Sequence, residues 1–152
     1  MKRLLLTLCL LTLHAGASAQ SLEDQIALVR QAMNTDREAL ITLNVHFTSA
    51  ESQAFWPLYR EYRKAMQANG DLRLRLIRDF AASYEGMSDA QADGFLERSL
   101  NIQQDRLDTR RQYAERFQAV LPGKKVARIM QMEYKMDTAI DMKLASEIPI
   151  VR

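Results

Sequence analysis

Two short patterns constrain this chain more than anything else in it. Thr48-Ser49-Ala50-Glu51 and Ser88-Asp89-Ala90-Gln91 each place a hydroxyl three residues before a Glu or Gln. That arrangement closes the first turn of a helix: the hydroxyl accepts from the N3 amide, and the N3 side chain accepts in turn from the N–H of the cap. Each box follows an apolar residue, Phe47 or Met87, and each is followed by a Phe seven positions after the cap, Phe55 or Phe95. Two helices therefore begin as a weak internal repeat. Only five Gly and three Pro occur in 152 residues, and no run of alternating β-branched residues interrupts them, so the spacing predicts an all-α chain.

Four helices are expected. The first covers roughly residues 22–43, with Ile26, Val29, Met33, Leu40 and Leu43 at helical spacing, either as one helix or as two pieces broken at Asn34-Thr35-Asp36. The second begins after Thr48 and runs to about Tyr84, the third begins after Ser88 and runs to about Val120, and the fourth runs from Pro122, whose missing N–H suits a first turn, to about Ser146. The short turn Glu85-Gly86-Met87 makes the second and third a long antiparallel hairpin, on the order of 50 Å at 1.5 Å per residue. The expected seam sets Leu58, Tyr62, Met66, Leu72, Leu76 and Phe80 against Phe95, Leu100, Leu107, Ala114, Phe117 and Leu121. Pro57 removes one backbone bond and crowds the carbonyl of Gln53, which predicts a bend near Trp56. A hairpin of this kind buries little by itself, so either helices one and four cover it or a second copy does, and a homodimer is expected.

Residues 1–19 differ from the rest. Met1-Lys2-Arg3, an apolar run from Leu4 to Leu13 and then Ala17-Ser18-Ala19 have the order of a cleaved secretory signal, too short to span a bilayer. The single domain would then be residues 20–152, exported to the periplasm. Loss of Lys2 and Arg3 lowers the 21 basic residues to 19, equal to the 19 acidic ones, and a neutral chain gives little reason to expect nucleic-acid binding. Cys9 is the only cysteine, so the exported chain has no thiol for disulfides or thiolate ligation.

No Ser lies in a nucleophile-elbow pattern and His46 is the one imidazole after the leader, so no catalytic residue, cofactor or metal site is expected and the chain reads as a non-enzyme. Two acidic ladders recur at every fourth residue. Asp89, Asp93 and Glu97 complement a helix N-terminus. Glu133, Asp137 and Asp141 lie mid-helix, where they either pair with Arg106 and Arg110 of a neighbouring helix or gather a hard cation; calcium needs six to eight oxygens, so charge pairing is expected. Met130, Met132 and Met136 read as adaptable apolar filler. Residues 60–78 hold six basic and two acidic side chains, and residues 79–108 hold seven acidic and two basic. This is either mutual pairing between antiparallel helices or a positive arm that attracts acidic partners.

The boxes Phe47-Thr48-Ser49-Ala50-Glu51 and Met87-Ser88-Asp89-Ala90-Gln91 resemble the paired Leu-Thr-x-x-Gln motifs of the Spy and CpxP family of periplasmic proteins. Phe55-Trp56-Pro57-Leu58-Tyr59-Arg60-Glu61-Tyr62, Leu121-Pro122-Gly123-Lys124-Lys125-Val126-Ala127-Arg128 and Glu147-Ile148-Pro149-Ile150-Val151 look like less characterised secreted helical proteins labelled regulators or sensors. The resemblance implies a cradle-like helical dimer that captures unfolded envelope proteins without ATP, or else a sensor or regulator that binds a metal ion or a membrane signalling partner. On the first reading Arg60, Arg63, Arg73, Arg75 and Arg78 would steer acidic clients and Trp56, Tyr59 and Met66 would touch them, while Thr48, Glu51, Ser88 and Gln91 serve as caps. No stable membrane insertion is expected.

Overall fold

The computed structural model describes residues 36–148 and 150. The expected leader and residues 22–35 of the first expected helix lie outside the described residues. The chain divides into two units, residues 1–40 and 41–152. The first is described only over the helical residues 36–40; the second carries the architecture.

The fold is all-α. The described part of α1 comprises residues 36–44, α2 is Ser49–Ser83, a single 3-10 turn occupies Tyr84–Gly86, α3 is Asp89–Gln118 and α4 is Gly123–Glu147. Both capping boxes form. Thr48 Oγ1 accepts from the N–H of Glu51 at 3.2 Å while Glu51 Oε2 accepts from the N–H of Thr48 at 2.7 Å. Ser88 and Gln91 make the same exchange at 3.4 and 2.9 Å. Pro122 acts as the residue before α4 rather than within it, one position earlier than the spacing predicts. α2 continues as helix through Pro57.

The core of this unit is aromatic. Phe55, Tyr59, Tyr62 and Met66 of α2 pack with Tyr113 and Phe117 of α3, and Ile41, Val45, Leu121, Val126 and Ile129 close around them. Ring centroids of Phe55 and Phe117 are 5.1 Å apart, and those of Tyr62 and Phe117 5.8 Å, in edge-to-face geometry. Such pairs add about 0.5–1.5 kcal/mol each beyond their buried area. At the far end of the hairpin, Phe80 lies 4.8 Å from Phe95.

The expected seam holds on α2 at Tyr62, Met66, Leu76 and Phe80, all buried, and on α3 at Phe117, with Leu121 buried just beyond it. It is wrong at Leu72, Leu100 and Leu107, which are 40%, 55% and 47% exposed. The face that α3 turns inward carries Phe95, Ser99, Ile102, Arg106, Thr109, Tyr113 and Phe117. Leucine content is a misleading guide to the seam because this inward face is half polar, and its one charge, Arg106, is met by carboxylates of α4.

Candidate functional site

α4 is tied to the hairpin by a row of charges. At its start, Lys125 Nζ donates to Glu51 Oε2 at 2.6 Å, so the first capping box also anchors α4. That ammonium, together with the Thr48 N–H, holds the Glu51 carboxyl below its usual range. Glu133, fully buried, accepts from Tyr59 Oη at 2.6 Å and from Arg63 Nη1 at 3.0 Å. Asp137 accepts from Arg110 at 2.7 Å and from Arg106 at 3.0 Å. Asp141 takes Arg106 at 2.9 Å through Oδ2 and Arg73 through Oδ1. Partners on α2 and on α4 advance along the sequence together, 63 with 133 and 73 with 141, so α4 runs parallel to α2 and antiparallel to α3.

This row is the second acidic ladder of the sequence, and the expected pairing with Arg106 and Arg110 is present. Burial works against the charge of Arg106, yet Asp137 and Asp141 together hold its pKa above the ordinary guanidinium value. Tyr62 Oη is buried without a hydrogen-bond partner among the described residues. Burial pushes this hydroxyl up to about 12, with the Glu133 and Asp137 carboxylates acting in the same direction.

The ladder divides the expected client-contact residues. Arg63 and Arg73 are drawn into it, and Tyr59 and Met66 are buried in the core, so these four side chains are occupied by packing and pairing. The two arginines lie at positions of α2 that face α4, and sequence spacing on α2 alone cannot show which neighbour stands there. Trp56 is half-buried beside Phe47, Phe55 and Tyr59. Arg60, Arg75 and Arg78 remain, joined by Lys64, which lies outside the expected steering set; all four are exposed. At 3.6 residues per turn they lie within about 60° of one another on the side of α2 nearly opposite its buried face, along roughly 27 Å. None has an ion-pair partner among the described residues.

On α3 a second stripe is uncovered. Leu96, Leu100 and Leu107, 57%, 55% and 47% exposed, lie within about 40° of one another and roughly a third of a turn from the buried face. Asp89, Asp93 and Glu97 are exposed beside its start, and His46 is exposed in the loop before α2. Met130 and Met132 pack on the core. Among the described residues, no three His, Cys, Asp or Glu side chains gather as a metal ion would require, and no helix is long and apolar enough to cross a membrane. No family model, curated protein or solved structure matches the chain.

Proposed function

We infer that this chain is a non-enzymatic polypeptide-binding module of the periplasm, an ATP-independent chaperone or envelope-stress adaptor that captures unfolded proteins. The observation that carries the reading is the basic stripe Arg60, Lys64, Arg75 and Arg78, exposed on the outward side of α2 and without ion-pair partners among the described residues. Side chains that hold α4 in place are spent inside the molecule, whereas these four have no structural task. Four cations in solvent, with Asp71 the acidic side chain on the same side of α2, attract acidic segments over roughly a Debye length, about 8–10 Å at moderate salt. Half-buried Trp56 and Leu74, about 40° to one side of the stripe, offer apolar contact once a segment has arrived. Contacts of that kind are weak and reversible, as release without ATP demands.

The leucine stripe on α3 is assigned to self-association. Exposed leucines in a row are unfavourable in water, and a second copy of the chain would cover them in the expected homodimer.

The test is light scattering of a chemically unfolded substrate protein with and without residues 20–152 at stoichiometric ratios in the absence of ATP. Suppression is expected. Replacing Arg60, Lys64, Arg75 and Arg78 together by Gln should slow client association about tenfold at low salt and hardly at all near 1 M salt, where screening is nearly complete. Failure of the folded protein to suppress aggregation would overturn the capture reading and leave a regulator that engages one signalling partner.

A further inference from the structure

We propose that the open end of the ionic ladder is a binding site for a carboxylate, and that Asp141 occupies it as a tethered substitute for the ligand. A cavity of about 300 Å³ lies between α2, α3 and α4, lined among others by Arg73, Leu76, Ile102, Gln103, Arg106 and Asp141. Two guanidiniums from different helices converge there on one carboxylate, Arg73 on Oδ1 and Arg106 on Oδ2. Each oxygen has its own donor, which is how a carboxylate is received by forked donors.

Exposure separates this rung from the other two. The side chain of Glu133 is 1% accessible and that of Asp137 6%, but that of Asp141 is 37%. An outside carboxylate can therefore exchange for Asp141 without entering the dry part of the ladder or stranding a buried charge. Arg106 stays in position during the exchange because Asp137 holds it at 3.0 Å. Asn69, also lining the cavity, donates Nδ2–H to the carbonyl of Ile102 at 2.9 Å and so locks α2 to α3 beside the site. Leu76 and Ile102 supply an apolar wall for a short aliphatic stem. The volume is at the lower limit for a small-molecule pocket, about 300 Å³. Together these features select a compact carboxylate on a short carbon chain, either a free carboxylic acid or the acidic side chain of a peptide.

Asp141 competes from within the chain, so affinity in the native protein is low and rises when its charge is removed. The measurement is a titration of the full mature chain, residues 20–152, labelled with ¹⁵N-arginine, following the arginine Nε–H signals. The probes are sodium glutarate, an N-acetylated glutamate amide, and sodium chloride at matched ionic strength. Saturable shifts of Arg73 and Arg106 are expected with the two carboxylates and not with chloride, and the tighter of the two carboxylates identifies the source. Asp141→Asn should tighten binding about tenfold or more, since an uncharged amide no longer competes.

Arg73→Gln should abolish the Arg106 response while leaving helical circular dichroism unchanged. Gln at Arg60, Lys64, Arg75 and Arg78 should leave the glutarate titration as it was, which separates this site from client capture. Shifts that fail to saturate, that chloride reproduces, that persist in Arg73→Gln, or that do not tighten in Asp141→Asn would overturn the proposal.

Discussion

Removing the carboxylate of Glu133 is the most direct challenge to the ladder. The residue is fully buried, its oxygens meet Tyr59 Oη at 2.6 Å and Arg63 Nη1 at 3.0 Å, and the Arg63 side chain is itself only 14% accessible. Glu133→Ala would leave a guanidinium in a site with little water, and loss of one partner of a buried pair costs about 3–5 kcal/mol. Against a typical total of about 5–15 kcal/mol, that is a large share of the stability. With a urea slope near 2 kcal/mol/M, the midpoint should fall by roughly 2 M.

The double variant Glu133→Leu with Arg63→Met tests the reasoning further, because it removes both charges and fills the space with apolar atoms. It should recover part of the loss, to within about 1–3 kcal/mol of the parent, since desolvation cancels much of the attraction in a buried pair while the buried Tyr59 hydroxyl loses its Glu133 acceptor. Urea unfolding followed by circular dichroism measures all three proteins. A loss below about 1 kcal/mol in Glu133→Ala, the value typical of an exposed pair, would refute the claim that the rung is buried and that α4 is held by it. A double variant no more stable than the single one would show that Glu133 acts through packing instead of charge.

Single groups give two more tests. Thr48→Ala should cost about 1 kcal/mol in urea unfolding, as loss of a hydroxyl cap does, and more than Ser88→Ala, because only the first box is tied through Glu51 to Lys125. Tyr62 has its folded pKa raised to about 12 against about 10 when unfolded, so the fold keeps its full stability below pH ~10, where the phenol is neutral in both states, and loses stability as pH rises towards 12, because only the unfolded chain ionises freely. The whole loss is roughly 3 kcal/mol. Tyr62→Phe should remove that alkaline decline and be close to neutral at pH 7, since the hydroxyl it deletes has no hydrogen-bond partner among the described residues; an unchanged decline would assign it to other groups.

Helix boundaries are legible in the sequence because they rest on local chemistry. A hydroxyl and a carboxylate or amide three residues apart satisfy orphan N–H groups whatever the rest of the molecule does, so α2 and α3 begin at Ser49 and Asp89, directly after their caps. The second acidic ladder is legible for a related reason: three carboxylates at every fourth residue share one helix face, and arginines of neighbouring helices are their natural partners. Lys125 is not legible, because nothing in its local sequence distinguishes a lysine that reaches Glu51 from one in solvent.

The seam departs from its leucines where the inward face of α3 is polar. Arg106, Ser99 and Thr109 look like surface residues in a helical-wheel reading, and Leu100 and Leu107 look like core. Only the arrival of α4 with Asp137 and Asp141 makes burial of Arg106 tolerable, and it thereby leaves the leucines outside. The same holds on α2. Five arginines between residues 60 and 78 are equivalent in sequence, yet α4 selects Arg63 and Arg73 for pairing and leaves Arg60, Arg75 and Arg78 in water.

Capping, helical periodicity and the shortage of Gly and Pro settle an all-α chain with a long hairpin from sequence alone, because they act between residues at most a turn or two apart. Which face of each helix is inside is a property of contacts between residues 15 to 74 positions apart, from Phe80 with Phe95 to Tyr59 with Glu133. A charge is buried only where its partner is delivered by another helix, and that delivery is the part tertiary structure decided.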